Sequence, residues 1–256
     1  MRTLRPSYTS HRMSPELLLV FAAGIFLVAI LYSSVGHAGA SGYIAIMSLL
    51  SLSPAIIKPT ALSLNILVAS IATVQFVRAG HFSWPLFWPF ALLAVPFAFV
   101  GGYIDLPAHA FKVIVGIILL YSAARFLFAS QTEKPATAPP RIAALAAGAV
   151  IGLLSGLTGT GGGIFLTPLL LIMGWAHAKR AAAVSALFIL LNSIAGLLGN
   201  LSSTKELPSY ILPLLAAAGL GGLIGSYIGS RRLAQSGIKR FLAIVLLIAG
   251  MKLILT

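Results

Sequence analysis

The sequence predicts an all-α polytopic membrane protein, an inverted repeat of five plus five helical segments with glycine-broken half-helices, and three observations carry that expectation. Hydrophobic residues fill 59% of the 256 positions and charged residues only 8%, against roughly 25% charged in a soluble domain, so a water-facing surface cannot be assembled. The apolar residues fall into ten blocks separated by short polar stretches. The first five blocks also echo the last five in order and in composition.

Taken in order, the blocks of the first half are 17–35, 42–52, 59–77, 84–104 and 108–129, and those of the second are 142–157, 164–175, 181–201, 207–229 and 238–255. A helix needs about 20 residues to cross a bilayer, within a range of roughly 17–25. Blocks one, three, four, eight and nine meet this. Blocks two and seven hold 11 and 12 residues and each follows a glycine-rich stretch, so each reads as a half-helix that begins inside the membrane. In the fifth block Lys112 and Arg125 bracket the apolar run, and in the tenth Arg240 and Lys252 do so. Long basic side chains of this kind snorkel to the interface; an inward-facing Arg125 or Lys252 is the alternative.

The organisation is then a tail (1–16), a first membrane repeat (17–129), a linker (130–140) and a second membrane repeat (141–256). The linker, SQTEKPATAPP over 130–140, has three prolines and no large apolar residue and belongs outside the membrane. Residues 1–12 with the run 17–35 also have the look of a secretory signal, but that run has a counterpart deep in the chain, which argues for a retained segment. At an offset of 122, Ser33 pairs with Ser155, Gly39 with Gly161, Tyr43 with Phe165, Lys58 with Arg180, Ser63 with Ser185 and Ser70 with Asn192. At 124, Gly101 and Tyr103 meet Gly225 and Tyr227. Five segments is an odd number, so the second copy enters the membrane from the opposite side, as in many secondary transporters.

Composition removes several function classes. There are no cysteines, which excludes disulfides and thiol chemistry. The net charge of +13, from 17 Lys and Arg against the acids Glu16, Asp105, Glu133 and Glu206, would suggest nucleic acid in a soluble chain. Here the basic residues sit singly or in pairs between apolar blocks, as expected of loops facing anionic lipid, so a nucleic-acid partner is not expected. Ten of these basic residues fall on one side of the ten-segment arrangement and four on the other. The positive-inside rule then places both termini outside, although the three arginines of the tail oppose it. No acid lies well inside an apolar block, and no catalytic triad or metal-ligand spacing occurs. Neither an enzyme, a metal nor a cofactor is expected.

The glycine breaks carry the chemistry. The first reads GHAGASG (36–42) and the second GLTGTGGG (156–163). Non-helical backbone at membrane depth survives only where protein buries it or it lines a cavity, and a helix starting there turns unpaired N–H groups and a positive dipole end toward an anion. The competing reading is close helix packing by small residues, which suits Gly221, Gly222 and Gly225 but not a run of consecutive glycines. No Lys-Ser or Lys-Thr follows the glycines, so the run is not a nucleotide loop. The candidate substrate contacts are therefore Gly39, Ala40 and Ser41 in the first break and Gly159, Thr160, Gly161 and Gly162 in the second. On the third and eighth blocks Ser63 and Ser70, and likewise Ser185 and Asn192, share one helix face, with Asn65 a further amide; Ser63, Asn65, Ser185 and Asn192 join the candidates. Interhelical or back-bonded hydrogen bonds are their alternative use. His37 lies inside the first break and completes the set, although its counterpart is Gly159.

The stretch GLTGTGGGIFLTPLL (156–170), the following AKRAAAVSALFILLNSIAGLLGN (178–200) and their first-half echoes resemble the TauE/SafE family of sulfite and organosulfonate exporters, membrane permeases. The resemblance covers nearly the whole chain after residue 16. The first half departs from it in GHAGASG and in Ile46, which stands where the second half has Pro168. The resemblance implies a transporter of small sulfur oxyanions or related carboxylates in the bacterial inner membrane. Its expected partners are that oxyanion and the lipid bilayer; the oligomeric state is not set by the sequence. An inside-negative potential of 100 mV favours a leaving monoanion by about 2.3 kcal/mol, so export needs no coupling ion, and an exporter is the leading expectation. Two readings stay open beside it: an importer of the same anions, proton-coupled through His37, and a non-transport membrane assembly protein.

Overall fold

The computed structural model describes residues 14–128, 136–203, 207–231, 246–248, 250–251 and 253–255. Most of the expected tail and linker, the side chain of Arg125, and Arg240 and Lys252 lie outside the described residues. Nine α-helices are described: α1 (Pro15–Ser33), α2 (Ala40–Leu49), α3 (Pro54–Arg78), α4 (Trp84–Tyr103), α5 (Ala108–Phe128), α6 (Arg141–Thr158), α7 (Gly163–Ile172), α8 (Ala178–Ser203) and α9 (Ile211–Arg231). Every regular element among the described residues is helical.

Local chemistry sets the ends. Ser14 Oγ accepts from the Leu17 N–H at 3.3 Å, and Pro15 follows it at the first helical position, where its missing N–H costs nothing. Pro54 and Pro85 open α3 and α4 in the same way. Six helices, α1, α3, α4, α6, α8 and α9, are long and apolar enough to cross a membrane. Helices α2 and α7 hold 10 residues each, about 15 Å of rise, or half of a hydrocarbon core of about 30 Å. The two short blocks are therefore half-length helices, each starting directly after a glycine.

The helices pack in exchanged pairs. Helix α1 lies on α9 and α6 on α4; α3 packs on α9 and α8 on α4; α2 lies on α3 and α7 on α8; α3 and α8 meet each other. Exchanging α1 with α6, α2 with α7, α3 with α8 and α4 with α9 turns each of these contacts into another of them. Two large apolar cores result, with a smaller one where Ala72 and Phe76 of α3 meet Ala182, Ala183 and Ala186 of α8. One combines side chains of α1, α2, α3 and α5 with α9 and with Leu246 and Leu253. The other combines α4 with α6, α7 and α8. Each half of the sequence thus lends its fourth helix to the core of the other.

Small residues make this possible. Lipid gives helices no hydrophobic reason to associate, so close van der Waals packing does the work. A Cβ at Gly148, Gly152 or Gly156 of α6 would strike the carbonyl oxygens of Phe90, Ala94 and Ala98 on α4, and one at Gly221, Gly225 or Gly229 of α9 would strike those of Phe26, Ile30 and Ser34 on α1. The glycine stripe has changed partners: it sits on the first helix of the second half and on the fourth helix of that same half. Packing therefore matches Gly225 to Ala94 rather than to Gly101, the sequence pairing; the two positions lie about two turns apart on one helix face.

One placement differs from the sequence reading. Lys58 was expected between blocks, among the loop cations, but α3 begins at Pro54 and carries Lys58 inside the protein at 5% exposure. Its ammonium donates to the carbonyl oxygens of Gly101 (3.3 Å), Gly102 (2.8 Å) and Ile104 (3.1 Å). These are carbonyls at the C-terminal end of α4, where the helix dipole is negative and acceptors lack intrahelical partners. The counterpart Arg180 is exposed.

The packing gives a direct expectation. Gly221→Val places its side chain against the Phe26 backbone and 2.8 Å from Ala29 Cβ, which overpacks α1 against α9 and costs about 1–3 kcal/mol. The control Leu220→Val, at a position 59% exposed, leaves stability within about 0.5 kcal/mol. Thermal unfolding in detergent separates the two; equal melting would mean that the α1–α9 contact is not close.

Candidate functional site

Helix α6 ends where Gly159 adopts the left-handed conformation (φ 78°) and donates to Ser155 O at 2.8 Å. Gly161 (φ 75°) and Gly162 (φ 82°) are left-handed too, and Gly162 is the N-cap of α7. Residues with a Cβ rarely take this conformation, which explains the glycine run better than packing does. In the first break Gly39 (φ 104°) caps α2. Each short helix thus begins on a left-handed glycine, with the N–H groups of its first turn lacking intrahelical partners.

The two breaks meet. His37 Nε2 lies 3.1 Å from Gly163 O, both groups buried. A Cβ at Gly36 would strike Ala182 of α8, and one at Gly159 would come within 3.1 Å of Lys58 O on α3. Each break is therefore seated on the long third helix of the opposite half, and the chain from the buried Lys58 runs directly past the second break.

Asn65 of α3 and Ser193 of α8, both fully buried, close over the second break. A Cβ at Gly161 would lie 2.6 Å from Asn65 Nδ2 and 3.0 Å from Ser193 Oγ, and Asn65 Nδ2 reaches Ser193 Oγ at 3.4 Å. The other amide atom, Asn65 Oδ1, has no partner. On α8, Phe188 touches Gly162 and Gly196 touches Gly156. Asn192 stands between them on the same helix face, fully buried, with neither amide atom partnered. Ser155 Oγ is likewise buried and unpartnered, its Cβ 3.4 Å from where a Gly162 Cβ would be. An unsatisfied buried polar group costs about 1–3 kcal/mol, so this concentration around one helix start needs a reason.

The first break is different because its polar groups are spent. Tyr43 OH donates to Ala38 O at 2.7 Å and fills the space beside Gly39, where a Cβ would come within 2.8 Å of that hydroxyl. Ser41 Oγ donates to Tyr32 OH at 3.0 Å. In the second half the position of Tyr43 is held by Phe165, which leaves the break to stack on Tyr121. Gly39, Ala40 and Ser41 are buried as expected, but their surroundings are closed by the chain's own aromatic residues.

Of the remaining candidates, Ser63 Oγ donates back to Pro59 O at 2.9 Å, and Ser185 Oγ accepts from Thr167 Oγ1 at 2.7 Å, tying α8 to α7. Thr160 pairs with Thr158 at 3.1 Å. The structure thus brings His37, Asn65, Gly161 and Gly162 together and sets Asn192 beside them, while the two serines bond elsewhere. Sequence reasoning did not reach Ser193 or Ser155 as site residues. Ser193 directly follows Asn192, and Ser155 had been noticed only as the partner of Ser33. Among the described residues no three His, Asp or Glu side chains gather to hold a metal ion. The groups that do gather are amide, hydroxyl and backbone N–H donors, a set suited to oxyanion oxygens.

Comparison with known proteins finds relatives over most of the chain. A family model described as "Sulfite exporter TauE/SafE" matches residues 20–253. A relative from Sinorhizobium fredii named "Probable membrane transporter protein y4hK" is 43% identical over 239 residues, covering 91% of this chain and 96% of the relative. "Probable membrane transporter protein YunE" of Bacillus subtilis is 33% identical over 105 residues, 41% of this chain and 38% of that protein. No solved structure matches.

Two substitutions at this site should move stability in opposite directions. Asn192→Leu replaces two unpartnered buried atoms with a side chain of similar shape and should stabilise the protein by about 1–3 kcal/mol. Gly161→Ala forces a left-handed residue against the Asn65 amide and should destabilise it by about 1–3 kcal/mol. Melting temperatures in detergent check both; a destabilised Asn192→Leu would show that the amide is already satisfied.

Proposed function

This chain belongs to the sulfite exporter TauE/SafE family of multi-pass membrane transporters, and from that premise we propose that it exports a small oxyanion, such as sulfite or an organosulfonate, held at the second glycine break. The observation that carries the proposal is the pair of unpartnered buried donors beside the second break, Asn192 Nδ2 and Ser155 Oγ, with the Asn65 amide Nδ2 close to Gly161. An oxyanion offers several acceptor oxygens. It receives bonds from the amide N–H groups, the hydroxyls of Ser155 and Ser193 and the first N–H groups of α7, while the positive end of that helix offsets its charge.

Gly159, Thr160, Gly161 and Gly162 form the backbone cradle in this reading. Asn65 and Asn192 supply side-chain donors, and His37 with Gly39, Ala40 and Ser41 forms the opposing wall. Ser63 reaches the anion only by giving up its bond to Pro59 O, and Ser185 is drawn to α7 by the bond it accepts from Thr167, which assigns both to a second conformation of the transport cycle. The halves 17–129 and 141–256 are inverted repeats, and the starts of α2 and α7 converge near the membrane midplane. The exchanged helix pairs and the contact between His37 and Gly163 support that arrangement. The membrane is the bacterial inner membrane.

Binding by neutral donors and a helix dipole suits export. The nearby Lys58 ammonium is committed to three carbonyl oxygens at the end of α4, so the anion is held loosely enough to be released, and the inside-negative potential drives it outward. The rival is proton-coupled import through His37, whose ring bridges the two breaks.

Proteoliposomes loaded with sulfite and held at 100 mV inside-negative should empty toward an outside-to-inside ratio of about fifty, the equivalent of about 2.3 kcal/mol, without a pH gradient. Asn192→Leu, folded and more stable, should lose this efflux. Uptake that follows an imposed pH gradient and ignores the potential would replace the export reading with the import one.

A further inference from the structure

A second binding feature lies on the outer surface, away from both glycine breaks. Helices α3 and α9 pack side by side, and along their last two turns they enclose a groove of about 560 Å³. Its walls are apolar: Ile71 and Val74 from α3, Leu223 and the Tyr227 ring from α9. Val74, Leu223 and Tyr227 are each close to half exposed, so the groove opens toward lipid. Gln75 Nε2 donates to Leu223 O at 3.3 Å and joins the two helices along the groove. Ser70 contributes little polarity, because its hydroxyl donates back to Ile66 O at 2.6 Å.

The polar end of the groove is cationic. Arg78 is the last residue of α3 and Arg231 the last of α9, and both line it. Arg231 is held in place: its guanidinium lies 4.5 Å over the Tyr227 ring and donates to the Tyr227 hydroxyl at 3.0 Å. An arginine at a helix C-terminus serves the dipole, but that role does not require two of them at the mouth of one groove. None of the lining residues is acidic, so the two charges are not neutralised within it. A guanidinium has five donors, so Arg231 keeps donors after its bond to Tyr227.

We propose that this groove binds an anionic phospholipid, with an acyl chain lying along Ile71, Val74 and Leu223 and the phosphate clamped between Arg78 and Arg231. The groove runs about 12 Å along the helices, and its arginines stand at helix ends, the depth at which lipid phosphates lie. Arginine suits such a partner because its planar fork pairs phosphate oxygens two at a time. The occupant's chemistry follows from the union of the two parts: an apolar trough accepts a chain, a paired cation accepts an anion, and in a bilayer the molecule that is both is an anionic lipid. Because α3 supplies Asn65 to the transport site, a lipid bridging α3 and α9 also bears on the helix that site depends on.

Native mass spectrometry of the full chain tests this in mixed micelles of equal dioleoyl phosphatidylglycerol and dioleoyl phosphatidylcholine. The wild-type chain should retain phosphatidylglycerol about thirtyfold over phosphatidylcholine, the preference expected of two interfacial arginines. Arg78→Gln with Arg231→Gln should bring the ratio close to one, while Arg78→Lys with Arg231→Lys should keep most of it. Val74→Trp should fill the trough and reduce retention of both lipids. These are surface positions, and unchanged melting of each variant shows that it is folded. Retention unaffected by the paired glutamines would overturn the proposal. So would displacement of phosphatidylglycerol by inorganic phosphate, which would mark a free-anion site, or a second copy of the chain bound in place of lipid.

Discussion

Backbone N–H and C=O groups inside a bilayer have no water to turn to, and a chain that interrupts two helices at membrane depth must satisfy them internally. Much of this structure follows from that constraint. Left-handed glycines let the chain turn within a few residues. The turns are then seated on the third helices of opposite halves, Gly36 on α8 and Gly159 on α3. Tyr43 reaches back to the Ala38 carbonyl, and His37 meets the Gly163 carbonyl. Where α4 ends near the second break, the Lys58 ammonium takes three of its carbonyl oxygens. A buried cation is costly alone, but three acceptors at the negative end of a helix compensate for it. The exchanged fourth helices close the enclosure, and glycine stripes allow them to come near enough.

Against that background the difference between the two breaks acquires meaning. Both begin a half-helix on a left-handed glycine, yet the first is filled by Ser41 bonded to Tyr32 and by Tyr43 bonded to the Ala38 carbonyl. The second has a phenylalanine where the tyrosine would be, and that ring turns away to Tyr121. Its polar neighbours, Asn65, Asn192 and Ser155, keep unpartnered atoms. On the proposed reading as a repeat, one break is closed and braces while the other keeps unspent polar groups. Symmetry supplied the scaffold, and the departure from symmetry points to the site.

The features governed by composition and local backbone chemistry were legible in the sequence. Short blocks after glycine runs became the half-helices α2 and α7, and consecutive glycines became left-handed turns. Asn65 and Asn192 stood out because amides within apolar blocks need partners. Lys58 did not, because an apolar block was taken to begin after a charge, whereas α3 starts four residues before it and carries it inward. The choice of helix partners was not legible either. Membrane helices are apolar on every face, so periodicity does not say which face meets protein; small residues such as Gly221 and Gly225 marked a packing face but not its partner. Ser63 and Ser185 shared predicted faces with Ser70 and Asn192, yet both found nearer bonds, an outcome decided by a carbonyl and a threonine that no spacing rule identifies.

The account turns on where an oxyanion sits. Selenite, the selenium analogue of sulfite, would report this through anomalous scattering from a crystal of the full chain. The account expects one strong selenium peak within hydrogen-bond distance of the Asn65 and Asn192 amides, beside Gly161 and the first turn of α7, and none at the first break. A selenium peak at Gly39–Ser41, or only beside Arg78 and Arg231 on the outer surface, would contradict it.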